Sequence, residues 1–97
     1  MRTIQAAAIT EAVARLCIQA NTYLPADIVA ALDRQRKAEP WPLAKETLGL
    51  LWDNMKLAEE THMPVCQDTG MACVFVELGQ DVHIDGNFED AIHEGVR

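Results

Sequence analysis

The chain has 97 residues, a net charge of −7 and a pI near 4.7, which suits one small domain or part of one. The acidic balance argues against nucleic acid and anionic membrane surfaces as partners, because no basic patch is present to neutralise phosphates. The apolar fraction of 49% is ordinary for a globular protein, and no apolar run approaches the length of a transmembrane helix.

Three helices are predicted in the first two thirds of the chain. In the first, over about residues 4–22, apolar residues recur at the three- and four-residue spacing of one buried face. Pro25 opens the second helix at a position where its missing N–H costs nothing. The third helix, about 43–61, has a broad apolar face that indicates burial on more than one side. Trp41, just before this helix, and Trp52, within it, are predicted to anchor the core.

Strands and a last helix are predicted after residue 64. Met71–Leu78 is apolar on both faces, which is typical of a strand covered on both sides, and Val82–Ile84 forms the second strand of a hairpin. Asn87 caps a final helix that ends without a closing turn, so we expect an N-terminal fragment of a longer polypeptide. The predicted fold class is α+β, mainly α: three helices, a short β-hairpin and a final helix.

The densest group of polar side chains lies between the third helix and the first predicted strand. Pro64 stops the helix, and Cys66, Gln67, Asp68 and Thr69 follow it directly, before Gly70. Loops held by rigid neighbours often carry residues that do chemistry. The simpler interpretation is that Asp68, Thr69 and Gly70 form an ordinary turn and that Cys66 is a small buried residue.

The cysteines bear on two kinds of metal site. Their odd number and wide spacing do not resemble a disulfide framework, so we expect a reducing cytoplasm. His62, Cys66, Cys73 and His83 are ligand types for zinc, but their spacing does not match paired zinc motifs. Cys73, within the predicted strand, and Cys17, on the buried face of the first helix, are better interpreted as packed thiols. An iron–sulfur cluster would need ligands beyond Cys66 from outside this chain.

Two consecutive stretches identify a family resemblance. Pro-Val-Cys-Gln-Asp-Thr-Gly-Met-Ala at 64–72 and Val-Phe-Val-Glu-Leu-Gly-Gln-Asp-Val at 74–82 resemble the start of the class I fumarate hydratases. These are iron–sulfur hydro-lyases, and they include L-tartrate dehydratase. The resemblance extends over the whole chain, so residues 1–97 look like the N-terminal part of the family's alpha-type domain.

The resemblance implies roles for three residues. Cys66 matches the first of three cysteines that hold a 4Fe–4S cluster, and Gln67 and Asp68 match residues that line the dicarboxylate pocket beside it. Asp68 is the candidate catalytic residue. The implied reaction is the reversible hydration of fumarate to (S)-malate, a step of the tricarboxylic acid cycle.

The resemblance also implies that most of the active site lies elsewhere. The other two cluster cysteines would lie outside this chain, beyond Arg97. The base and much of the anion-binding machinery would come from another domain or subunit, with a beta subunit or a C-terminal domain as the expected partner, in a homo-oligomeric cytoplasmic enzyme. The 97-residue chain alone would be inactive. Fumarate is preferred to tartrate because Gly-Met-Ala at 70–72 and the stretch at 79–84 look more like fumarase alpha chains. The remaining alternatives are an L-tartrate dehydratase alpha subunit fragment and a non-catalytic helical interaction module.

Overall fold

The computed structural model describes residues 1–68 and 70–97, and it confirms a mainly helical α+β fold. Among the described residues, none of the helices combines the length and the hydropathy that a membrane span requires. In chain order the elements are β1 (Arg2–Gln5), α1 (Ala6–Thr22), α2 (Ala26–Ala38), α3 (Pro42–Thr61), β2 (Val82–Asp85) and α4 (Phe88–Val96). The three predicted helices and the final helix are therefore confirmed within a few residues.

The chain divides into two compact units. The first unit comprises Met1–Gln19 and Asp68–Arg97, and the second unit comprises Ala20–Gln67. The first unit holds β1, β2, α4 and most of α1, and the second holds α2 and α3.

The sheet of the first unit is not the predicted hairpin. β1 pairs with β2 in parallel, with Ile4 opposite Ile84, and the Arg2 N–H donates to the Asp81 carbonyl at 2.9 Å. The predicted first helix began at about residue 4, so it included the second half of β1. A strand of four residues is too short to show the period of two that would identify it in the sequence. The prediction of strand Val82–Ile84 is confirmed, but its partner is distant in sequence.

The predicted strand Met71–Leu78 is wrong for this chain. These residues have no regular secondary structure, and all of them are exposed, with Phe75 at 94% and Val74 at 44%. Residues 71–78 make no hydrogen bond with the described part of the chain, so their high strand propensity finds no ladder to join. Cys73 is consequently exposed, and its prediction as a packed thiol is also wrong.

The first unit is stabilised by close packing of α1 on α4. The Thr10 hydroxyl donates to the Ala91 carbonyl at 2.9 Å, and Val13 and Ala91 are buried. Gly95 allows this approach, because a Cβ there would lie 2.6 Å from the Val13 Cβ. As predicted, Asn87 caps α4: its side chain accepts from the backbone N–H of Asp90.

The second unit is held by the contact of α2 with α3. Met55 and Ala58 of α3 are buried, and the Arg36 guanidinium lies 4.3 Å from the ring centroid of Trp52. This stacking leaves Trp52 half-buried, so it belongs to the helix contact as predicted. Trp41, the residue before α3, is 61% exposed, so its prediction as a core anchor is wrong.

Candidate functional site

The segment that leads to the predicted site begins at the end of α3. His62 adopts a left-handed conformation, with φ 55° and ψ 39°, and the N–H of Met63 donates to the Ala58 carbonyl at 3.1 Å. This closing turn satisfies one of the last helix carbonyls. Pro64 follows, and its ring fixes φ and prevents any continuation of the helix. The chain therefore leaves α3 in a defined direction four residues before Cys66.

The next residue, Val65, is held through both of its backbone polar groups. Its N–H donates to the Asn21 carbonyl at 2.7 Å, and its carbonyl accepts from the Asn54 side-chain amide at 2.6 Å. Asn21 lies in the last turn of α1 and Asn54 lies in α3. All three residues belong to the second unit, so two helices fix the backbone immediately before Cys66.

Cys66, Gln67 and Asp68 are all exposed. Cys66 carries a free thiol, and none of the three side chains makes a hydrogen bond or ion pair with residues 1–68 or 70–97. A turn-forming aspartate usually accepts from a backbone N–H two residues on, and the Asp68 carboxylate makes no such bond to Gly70. Thr69 lies outside the described residues. The geometry leaves a thiol, an amide and a carboxylate available to a ligand.

The histidines and the second exposed cysteine do not join this group. His62 faces Tyr23, whose hydroxyl lies 3.3 Å from the His62 Nδ1, while His83 and His93 are exposed. In residues 1–68 and 70–97, no three His, Cys, Asp or Glu side chains are grouped as a metal site. The described donor set therefore fits a cluster in part: it offers one reachable thiol, at Cys66, and the further ligands of a cluster would have to come from elsewhere.

A family assignment follows from comparison with known sequences. Residues 10–97 match the family described as Fumarate hydratase (Fumerase). Because the match covers most of the chain, the chain belongs to this family, and the resemblance drawn from the motif at 64–72 is confirmed.

Curated relatives carry the name of a related enzyme subunit. A Methanocaldococcus jannaschii protein whose name assigns it to L(+)-tartrate dehydratase subunit alpha is 37% identical over 91 residues, which are 92% of this chain and 32% of that protein. The L(+)-tartrate dehydratase subunit alpha of Escherichia coli K12 is 31% identical over 88 residues, which are 91% of this chain and 29% of that protein. A Shigella boydii protein of the same name gives the same values. The chain thus spans less than a third of the length of these relatives.

Asn54 is the residue near the site that the motif did not reveal. It lies 11 residues before Val65 in sequence, and its contact depends on how the chain turns back after α3. One indication was available: asparagine has low helix propensity, so an asparagine in the middle of a 20-residue helix invites a search for a side-chain partner.

Proposed function

We propose that the chain is the N-terminal part of an iron–sulfur hydro-lyase that reversibly hydrates fumarate to (S)-malate. The observation that carries the proposal is the family match over residues 10–97. The geometry supports it, because the exposed Cys66 thiol follows a backbone that two helices hold in place. A thiol that must meet a metal needs both access and a defined position.

Each of the three exposed residues has a distinct part in this proposal. Cys66 would provide one thiolate of a 4Fe–4S cluster, and the bound cluster supplies a Lewis-acidic iron that polarises a substrate oxygen. The Gln67 amide can both donate and accept hydrogen bonds, which suits contact with a carboxylate or a hydroxyl of the substrate. The Asp68 carboxylate only accepts, so it suits a substrate hydroxyl or a water and can hold a proton during turnover.

The charge of the chain indicates what a partner must contribute. A dicarboxylate carries two negative charges, and a chain with a net charge of −7 repels it. Cationic groups that bind the substrate carboxylates would therefore come from a beta subunit or a C-terminal domain, in a homo-oligomeric assembly. We place this assembly in the cytoplasm, because the exposed thiols of Cys66 and Cys73 persist in a reducing compartment.

L(+)-tartrate is the second candidate substrate. The names of the curated relatives favour it, whereas the stretches at 70–72 and 79–84 favour fumarate. L(+)-tartrate differs from (S)-malate, the hydrated form of fumarate, by a second hydroxyl. The pocket of the complete protein would therefore need one more polar contact to bind tartrate.

The test is an assay of the complete alpha polypeptide together with its partner, expressed and purified without oxygen. Fumarate hydration and L(+)-tartrate dehydration are measured side by side, and we expect the larger kcat/KM for fumarate. A larger value for tartrate would move the assignment to tartrate dehydratase. A preparation with full iron content and no turnover of either substrate would contradict the hydro-lyase and favour a non-catalytic interaction module.

A further inference from the structure

The position of Cys66 is set by its backbone. Its exposed thiol makes no hydrogen bond and no disulfide among the described residues, so the preceding residue determines where the side chain begins. Val65 is bound on one side by the Asn21 carbonyl at 2.7 Å and on the other by the Asn54 amide at 2.6 Å. Of these two contacts, the Asn54 contact is made by a side chain, and a substitution can therefore remove it.

The orientation of the Asn54 amide follows from chemistry. The Val65 carbonyl can only accept a hydrogen bond, so the Asn54 nitrogen, and not its oxygen, must face it. An aspartate at position 54 would have the same size and shape but no donor, and its charge would face a carbonyl oxygen. Asn54→Asp would thus replace an attractive contact with a repulsive one, with almost no change in side-chain volume.

We propose that Asn54 is a positioning residue that holds Cys66 where its thiolate meets an iron. The inference rests on the proposed function, since it takes Cys66 as a cluster ligand. Metal sites tolerate ligand displacements of only about 0.2 Å, and residues that hold a ligand in place change metal affinity by about 10- to 100-fold when they are replaced. The described contact of Asn54 is with the Val65 backbone, so in this proposal it acts on the iron through Cys66.

The experiment compares Asn54→Asp with Gln35→Glu in the complete alpha polypeptide and its partner, prepared without oxygen. Gln35 is exposed on α2 in the same unit, and its side chain makes no described contact, so Gln35→Glu repeats the change from amide to carboxylate away from Val65. Three quantities are measured in both variants: the EPR spectrum of the reduced cluster, the rate of iron loss to a chelator, and the exchange rate of the Val65 amide in the iron-free protein.

We expect Asn54→Asp to alter the EPR line shape and to raise the rate of iron loss at least about tenfold. The Val65 N–H donates to the Asn21 carbonyl and keeps that bond, but the Val65 carbonyl loses its bond from Asn54, so the segment opens more often. Exchange of the Val65 amide should therefore rise about tenfold, which corresponds to about 1.4 kcal/mol. Gln35→Glu should leave all three quantities at the parent values. If Asn54→Asp does not fold, Asn54→Ala removes the donor without adding charge and is expected to change the same quantities in the same direction.

Parent-like EPR and iron loss in a folded Asn54 variant would overturn the proposal. The failure of the proposed function looks different: a Cys66→Ser variant that keeps its cluster would show that Cys66 is no ligand, whatever Asn54 does. Faster Val65 exchange with an unchanged cluster would show that Asn54 holds the backbone but not the iron site, and it would also overturn the proposal.

Discussion

Cys66 and Cys73 are both exposed thiols, but their backbones are held differently. The residue before Cys66 is fixed by two hydrogen bonds, whereas Cys73 lies in a stretch that makes none with described residues. In the complete enzyme, Cys66→Ser is expected to abolish both the visible absorbance of the cluster and hydratase activity. Cys73→Ser is the matched control and should keep both, with a stability change within about 0.5 kcal/mol. Retention of the cluster in Cys66→Ser would rule out the ligand assignment.

Asp68 offers a second test at the residue scale. Its side chain is exposed and makes no described hydrogen bond, so asparagine should replace it without structural cost. We expect Asp68→Asn to lower kcat at least about 100-fold, the usual contribution of a group that moves a proton. Its Tm should stay close to that of the parent. A large fall in Tm with kcat preserved would show instead that Asp68 acts as a turn former.

The candidate site was predictable from sequence only where its residues are consecutive. Cys66, Gln67 and Asp68 follow one another, so a short motif was enough to identify them. The role of Asn54 was not predictable, because it depends on a tertiary contact with Val65 across the closing turn of α3. Side-chain partners of this kind follow from backbone geometry, which periodicity does not report.

At the scale of elements, the packing of α4 on α1 depends on a glycine. A Cβ at position 95 would lie 2.6 Å from the Val13 Cβ and 2.8 Å from the Thr10 carbonyl oxygen. Overpacking of this kind costs about 1–3 kcal/mol, more than the roughly 1 kcal/mol that alanine gains in a helix. We therefore expect Gly95→Ala to lower the free energy of unfolding in a urea titration.

Gly49 provides the matched control within the chain. It lies in α3, and a Cβ there would meet no atom within 4 Å. Gly49→Ala should raise the free energy of unfolding by about 0.5–1 kcal/mol. Equal stability of the two alanine variants would contradict the close approach of α4 to α1.

The second element-scale prediction concerns pH and α2. The hydrogen bond from Lys37 lowers the pKa of Asp33 below its usual value of 3.8, and the charges of Lys37 and Arg36 act in the same direction, while burial opposes them. Because the folded pKa is the lower one, the stabilisation is present above pH 3.8 and is lost as the pH falls through the folded pKa. Asp33→Asn should be less stable than the parent at pH 7, and the two should converge at low pH. A constant difference between pH 7 and pH 2.5 would contradict the ion pairs.

The elements that sequence predicted well are those with local causes. α4 carries its own cap at Asn87 and acidic residues in its first turn, so its start was predictable. The pairing of β1 with β2 joins Arg2 to Val82, and no local pattern reports a partner so far along the chain. Met71–Leu78 shows the converse case: its residues favour a strand, but a strand also requires a neighbour.

At the scale of the whole molecule, net charge and exposed apolar surface have opposite effects on self-association. The net charge of −7 keeps copies of the chain apart, whereas residues 71–78 expose a stretch with one charge, no proline and high strand propensity. Salt weakens the repulsion between copies, because the Debye length falls from about 10 Å at 0.1 M to about 3 Å at 1 M. The attraction between apolar surfaces is then opposed less. We expect the 97-residue chain to self-associate through residues 71–78, more strongly at high salt.

Light scattering on the purified chain over a range of concentrations measures this association. Phe75 is 94% exposed, so Phe75→Glu should give a monomer, because it places a charge in the centre of the stretch. Ile18→Glu is the matched control: Ile18 is 70% exposed on α1, and its variant should associate like the parent. A parent that stays monomeric at high concentration in 1 M salt would contradict the prediction. In the proposed function Cys66 is the cluster ligand that the described residues supply, so the same samples should show no fumarate hydration. Measurable hydration would mean that the active site lies within these 97 residues.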